Sequence, residues 1–256
     1  RTLRIRQVEV QASLKSALKE EAVMTYFARP LANLVTPWFY NHGWSANGVT
    51  ALRGVFSVVA LTGLLFLQPQ SLVLPAVLFY IVFVLDCVDG NLARLDDRAT
   101  YWGKFIDGLV DGIFIFLAPS FAGVGWWLAT GDVRFLTVGF GITLVALATQ
   151  MVRNRLSFFR EWMVAQSGDL GEDEERSLAL PRRIAKAGNT CMINATFFAP
   201  IFLITPAGAQ YYLLVLLLTQ VPCDILSLVA NIWQAKVMLR RRRRSIRAAD
   251  TSRPTP

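Results

Sequence analysis

The stretch "SLVLPAVLFYIVFVLDCVDGNLARLDDRATYWGKFIDGLVDGIFIFLAPSFAGVGWWLA", residues 71–129, decides how the chain folds. One almost unbroken apolar run ends at Asp86 and a second begins after Gly112. About 20 mostly apolar residues in a helix cross the hydrocarbon of a bilayer, so each run reads as a membrane span. Four aspartates, Asp86, Asp89, Asp107 and Asp111, lie at or inside the ends of these two helices. A bare carboxylate at membrane depth costs about 2.5–3.5 kcal/mol or more, so something must compensate them.

The rest of the chain is of the same kind. It has 256 residues, 54% of them hydrophobic, and a mean hydropathy of +0.42, which excludes an ordinary soluble domain. Six apolar runs are expected to span the membrane: 48–68, 71–93, 104–129, 135–158, 189–206 and 209–235. The turn-like breaks "QPQ", "TGDVR" and "TPAGAQ" are too short to hold a domain. The fold class is therefore all-α, a polytopic membrane protein with six transmembrane helices. Residues 1–46 form an N-terminal segment, 47–236 the transmembrane catalytic domain and 237–256 a basic tail. Within 14–40, apolar residues at helical spacing lead into Tyr26, Phe27, Trp38, Phe39 and Tyr40, the pattern of an amphipathic helix lying in the interface. The N-terminus lacks an apolar segment of the signal-peptide kind, and none is expected.

The net charge of +8 is unevenly placed. With six spans both termini share one side, and every Lys and Arg except Arg134 falls there, counting Arg53 at the start of the first span. The positive-inside rule makes that side cytoplasmic and puts the aspartates on it. The tail "LRRRRRSIR" follows a span directly, so it reads as an anchor to anionic head groups, with no nucleic-acid partner. The loop 159–188, with its acidic "SGDLGEDEER", reads as solvated. Cys87, Cys191 and Cys223 suggest neither a disulfide framework nor a metal-thiolate site.

Helix geometry sharpens the aspartate cluster. At 100° per residue, Asp86, Asp89, Gly90 and Ala93 share one arc, with Arg94 at its edge. Gly103, Asp107 and Asp111 form a stripe on the next helix. The short connection makes the helices antiparallel neighbours, so the two carboxylate stripes can face each other. Four facing carboxylates repel, and Arg94, Arg98 and Lys104 are too few or too peripheral to neutralise them. An all-carboxylate site without His or Cys suits hard cations, so two divalent ions, Mg²⁺ or Mn²⁺, are expected on Asp86, Asp89, Asp107 and Asp111. Two such ions are the arrangement used for in-line displacement at phosphorus. Gly90 and Ala93 leave room for a ligand, and the planar fork of Arg94 suits a diphosphate. Asp96 and Asp97 fall in the connecting turn and are expected to be dispensable.

The pattern Asp86-x2-Asp89-Gly90-x2-Ala93-Arg94-x8-Gly103-x3-Asp107-x3-Asp111 resembles the signature of the CDP-alcohol phosphotransferases, integral membrane enzymes also called CDP-alcohol phosphatidyltransferases. "SANGVTALRG", residues 45–54, is similar to the Asn-rich entry into that family's first span. The resemblance implies transfer of a substituted phosphoryl group from a CDP-linked alcohol to a hydroxyl acceptor, with release of CMP. It implies that Asp86, Asp89 and Asp107 ligate the metals, and that Asp111 helps bind metal and acts as base on the acceptor. Gly90 and Ala93 would make room for the nucleotide, Arg94 would hold the diphosphate, and a homodimer is expected. The favoured reaction is phosphatidyl transfer from CDP-diacylglycerol to a polar alcohol in phospholipid synthesis; transfer of a CDP-linked head group is the alternative.

Arg153, Arg155, Arg182, Arg183 and Lys186 could favour a phosphorylated acceptor, with Arg153 and Arg155 the candidate contacts, or could be positive-inside anchors. Asp224, alone in the last span, is expected to be structural. Gly108 and Gly112 form a small-xxx-small pair suited to close helix packing. Two other functions share the Asp-rich chemistry. A membrane prenyltransferase would need more spans, and a divalent-cation transporter would need polar residues across the whole membrane.

Overall fold

The computed structural model describes Val10, residues 24–66, 72–95, 100–167, 172–205 and 208–251; in 24–25, 164–167, 172–177 and 240–251 only the backbone is described. Asp96, Asp97, Arg98 and residues 14–23 lie outside the described residues. The helices are α1 (Met24–Asn41), α2 (Ala46–Gly63), α3 (Val73–Leu95), α4 (Tyr101–Thr130), α5 (Val133–Ser167), α6 (Glu172–Phe198) and α7 (Gly208–Thr251). A 3-10 turn, Ala199–Ile204, follows α6. No strand occurs among the described residues, and the chain is an all-α polytopic membrane protein.

Among the described residues, five helical segments are long and apolar enough to cross a membrane: Val73–Leu95, Tyr101–Thr130, Val133–Met163, Leu178–Ile204 and Gly208–Leu239. The sixth expected span corresponds to α2, which is not among them. Asn47, Thr50, Arg53 and Ser57 lower its hydropathy, and its 18 residues span about 27 Å. The loop expected at 159–188 is largely helical. α5 continues to Ser167 and α6 begins at Glu172, so hydropathy located the crossings but not the helix ends. Met163, Leu178 and Met238 pack together there, giving these extensions a small apolar core. The basic tail likewise continues α7 as helix to Thr251.

The helix starts follow local chemistry. Ser45 caps α2 and Thr100 caps α4, each accepting a hydrogen bond from a backbone N–H three residues on. Gly131, with φ of +73°, closes α4 in a left-handed conformation that glycine adopts without strain. Asp132 then accepts from the Arg134 backbone N–H at the start of α5, and the Arg134 guanidinium beside it holds its carboxyl below the usual range.

The described chain divides into two compact units, residues 1–143 with 193–220, and 144–192 with 221–256. In the first, Ala32 and Phe39 of α1, Val49 of α2, and Leu85, Val88 and Leu92 of α3 form one core cluster. The opposite side of α1 exposes Tyr26, Phe27, Leu31, Leu34 and Trp38, a broad apolar face of the kind an interfacial helix presents. Phe79 and Phe114 tie α3 to α4, with ring centroids 4.7 Å apart. α4 and α5 approach at backbone contact. A Cβ on Gly123 would lie 2.7 Å from the Phe135 carbonyl oxygen, and one on Gly139 would strike that of Pro119. Gly108 has open space beside it and Gly112 meets only Phe116 of its own helix, so the expected small-residue pair does not pack within this chain. Gly123 and Gly139 do that work instead.

In the second unit, Cys191 of α6 and Cys223 of α7 form a disulfide with Cα atoms 6.2 Å apart, against the sequence expectation of none. Gly188 makes the approach possible, since a Cβ there would lie 2.8 Å from the Cys223 carbonyl oxygen. Asp224 is 1% exposed. Its carbonyl accepts from Thr149 Oγ1 at 3.2 Å, and its carboxylate is the charge acting on Arg153.

Candidate active site

α2, α3 and α4 build the site, with α2 packed on both of the others. α3 delivers Asp86 and Asp89 one turn apart, and α4 delivers Asp107 and Asp111 one turn apart. The expected convergence occurs. Asp86, Asp89 and Asp107 each offer a carboxylate oxygen, and these atoms lie within 4.8 Å of one another. Asp111 is outside that group but belongs to the same charge cluster through Arg53. Asp89 is buried, while the side chains of Asp86, Asp107 and Asp111 are partly exposed.

Arg53 is the principal residue that the sequence reading misplaced. It was expected among the basic residues of one membrane face, yet its side chain is wholly buried among the four aspartates. Nη1 donates to Asp86 Oδ1 and lies 3.6 Å from Asp89 Oδ2. Nη2 donates to Asp107 Oδ1 at 2.7 Å and to the Asp107 carbonyl at 3.1 Å, and lies 3.3 Å from Asp111 Oδ1. A fixed planar fork suits this task in a way a lysine does not. A signal was present: Asn47, Thr50, Arg53 and Ser57 recur at intervals of three and four, one polar stripe on an otherwise apolar helix.

Thr50 on that stripe donates from Oγ1 to Asp89 Oδ2 at 2.9 Å and to the Ala46 carbonyl at 3.1 Å. Asn47 explains Gly103, because a Cβ there would lie 2.9 Å from Asn47 Oδ1. Next to the carboxylates is a cleft of about 200 Å³, lined by Ala46, Asn47, Thr50, Asp89, Gly90, Ala93, Thr100, Gly103, Lys104 and Asp107. Gly90 and Ala93 both line this cleft. Arg94 folds over Gly90, where a Cβ would come within 3.4 Å of Nη1. Its Nη2 donates to Asn91 Oδ1 at 2.7 Å, and Asn91 Nδ2 donates to Asn33 Oδ1 and Thr36 Oγ1, both at 3.0 Å. This chain ties the Arg94 guanidinium to α1 through Asn91. Arg29 of α1 adds a second positive charge that acts on both Asp86 and Arg94.

Arg153 and Arg155 lie in the second unit. Arg153 is half-buried and under the field of Asp224, whereas Arg155 is exposed.

The donor set fits a hard divalent cation. It is all oxygen, it gathers within one coordination sphere's reach, and Asp89 is braced by a neutral hydroxyl. No curated protein matches the chain. A family model, CDP-alcohol phosphatidyltransferase, matches residues 44–235, which include every helix that builds this site. The chain belongs to the CDP-alcohol phosphatidyltransferase family, membrane-embedded transferases of phosphate-containing groups that use divalent metals.

Proposed function

We propose that the protein transfers a phosphatidyl group from CDP-diacylglycerol to a polar alcohol and releases CMP, with Asp86, Asp89, Asp107 and Asp111 holding two Mg²⁺ or Mn²⁺ ions. The observation that carries this reading is the convergence of three carboxylates within 4.8 Å beside a cleft floored by Gly90 and Ala93. When bound, the metals supply Lewis acidity to the diphosphate and charge neutralisation for the departing nucleotide. Arg94, poised over Gly90 at the cleft, binds the diphosphate and orients it. Asp111 takes the proton of the acceptor hydroxyl. That role is supported by its place one turn beyond Asp107 and outside the tight three-carboxylate group. The acids gather at one end of α3 and the start of α4, which favours an enzyme over a transporter with a continuous polar path.

In this reading α2 crosses the membrane with the other five helices. Both termini and the active site are then cytoplasmic, by the distribution of Lys and Arg. The working form is a homodimer. The test is a panel of soluble and lipid-linked CDP donors with a series of alcohols in Mg²⁺, scored by CMP release. Release from CDP-diacylglycerol is expected. Release only from a soluble CDP head-group donor would transfer the assignment to head-group transfer. Cation flux in vesicles without CMP from any donor would replace the enzyme reading with transport.

A further inference from the structure

Arg53 reaches all four aspartates. It donates to Asp86 Oδ1 and Asp107 Oδ1, and its nearest approaches to the other two are to Asp89 Oδ2 at 3.6 Å and Asp111 Oδ1 at 3.3 Å. Among the described residues Arg53 makes no hydrogen bond to the second oxygens, Asp86 Oδ2 and Asp107 Oδ2, of the two carboxylates it bonds. The guanidinium is wholly buried, whereas three of the four carboxyl groups are partly exposed. It therefore lies beneath the cluster, away from the open side. Its Nε is buried without a hydrogen-bond partner, so all of its bonding is spent through the two terminal nitrogens on the carboxylates and the Asp107 carbonyl. Two helices carry the acids, and this one side chain from a third spans both pairs.

We propose that Arg53 is a positioning residue of the metal site: from its buried place it ties the α3 acids to the α4 acids, bonding one oxygen of Asp86 and one of Asp107 so that their other oxygens are presented to the divalent cations. The inference rests on the metal-dependent reading above. A guanidinium can do this because its two terminal nitrogens are rigidly spaced, Nη1 serving the two α3 acids and Nη2 the two α4 acids. Four carboxylates held apart in this way are prepared for cations at no cost in rearrangement, and the permanent charge offsets part of their mutual repulsion while the site is empty.

The test uses the full chain in detergent and measures Mn²⁺ binding by electron paramagnetic resonance, with and without CMP. Arg53→Lys keeps the charge but has one nitrogen in place of the fixed fork, so it cannot hold the α3 and α4 acids in the same geometry. A folded Arg53→Lys protein is expected to bind Mn²⁺ about 10–100-fold more weakly, the usual cost of losing a group that orients ligands. Arg53→Met is expected to be weaker still. Wild-type affinity in Arg53→Lys, or tighter binding in Arg53→Met, overturns the inference, because Arg53 would then be an inert brace or a competitor of the metal. Should neither variant fold, a structure of the wild type with Mn²⁺ decides the matter through anomalous scattering. Ions on the second oxygens with the Arg53 contacts intact support the proposal, and ions on the oxygens that Arg53 now holds refute it. A wild type that binds no Mn²⁺ in either nucleotide state overturns the metal reading itself, and this inference with it. Binding by the wild type and equal binding by Arg53→Lys removes this inference alone.

Discussion

Thr50→Val tests whether the polar stripe of α2 serves the chemistry or only the packing. Threonine and valine have nearly the same shape, so the substitution removes a hydroxyl without opening a cavity. That hydroxyl reaches Asp89 Oδ2 at 2.9 Å and the Ala46 carbonyl at 3.1 Å, and it has one hydrogen to share between them. Asp89 is 6% exposed, so water cannot readily replace the lost donor. A hydrogen bond to a charged group contributes about 1.5–3 kcal/mol. Sharing with Ala46 points to the lower end, and about 1.4 kcal/mol corresponds to tenfold. Thr50→Val is therefore expected to raise the metal concentration needed for half-maximal CMP release by about tenfold. Thr50→Ser, which keeps the hydroxyl, should stay close to wild type. The assay is initial-rate CMP release across a Mg²⁺ titration at fixed donor and acceptor, with thermal unfolding measured alongside. A Thr50→Val enzyme whose metal requirement and kcat/KM both stay within about twofold of wild type would refute the reasoning. The Thr50–Asp89 contact would then be incidental to the site.

The other predictions test separate parts of the molecule. Asp111→Asn should abolish turnover while Mn²⁺ and CDP binding persist, read by single-turnover kinetics and calorimetry; near-normal turnover removes Asp111 as base. Gly90→Ala places a methyl group against Arg94 and into the cleft, so the donor KM should rise several-fold with little change in unfolding temperature. Asn91→Ala takes the shared partner from Asn33, Thr36 and Arg94; a loss of about 1–3 kcal/mol in stability and a raised donor KM are expected together. Gly139→Ala forces a Cβ against the Pro119 backbone, which cannot yield as a flexible side chain would, and should cost about 1–3 kcal/mol. Gly141→Ala, with open space around it, is the control and should be neutral in the same thermal scan.

The aspartate motif was legible because its spacing is local: two helices, each with its acids one turn apart, joined by a short connection. Geometry of that kind survives without knowledge of the third dimension. Arg53 was harder to place because its role depends on which helix lies between the other two, and a single arginine near a span end carries the same charge whether it faces lipid head groups or four carboxylates. Its stripe with Asn47, Thr50 and Ser57 was the available sign. The helical extensions beyond the fourth and fifth expected spans were missed for another reason. Hydropathy reports where a helix is apolar enough for lipid, while residues such as Glu172 and Arg176 sustain a helix beyond the apolar run equally well. The Cys191–Cys223 disulfide leaves no sequence trace at a separation of 32 residues, since it depends on how closely α6 and α7 approach at Gly188.

The burial of Arg53 has a consequence for how the chain is made. α2 emerges from the ribosome as an 18-residue helix with an arginine near its middle, and a lone arginine at mid-helix adds about 2.5–3.5 kcal/mol to insertion. Its counter-charges are not yet present, because Asp86 follows 33 residues later and Asp107 follows 54 residues later. On the proposed topology α2 carries that cost until α3 and α4 bring the aspartates that offset it. The same carboxylates that gather at the candidate site then also bear on insertion: a chain without them leaves the buried Arg53 with no counter-charge in α3 or α4.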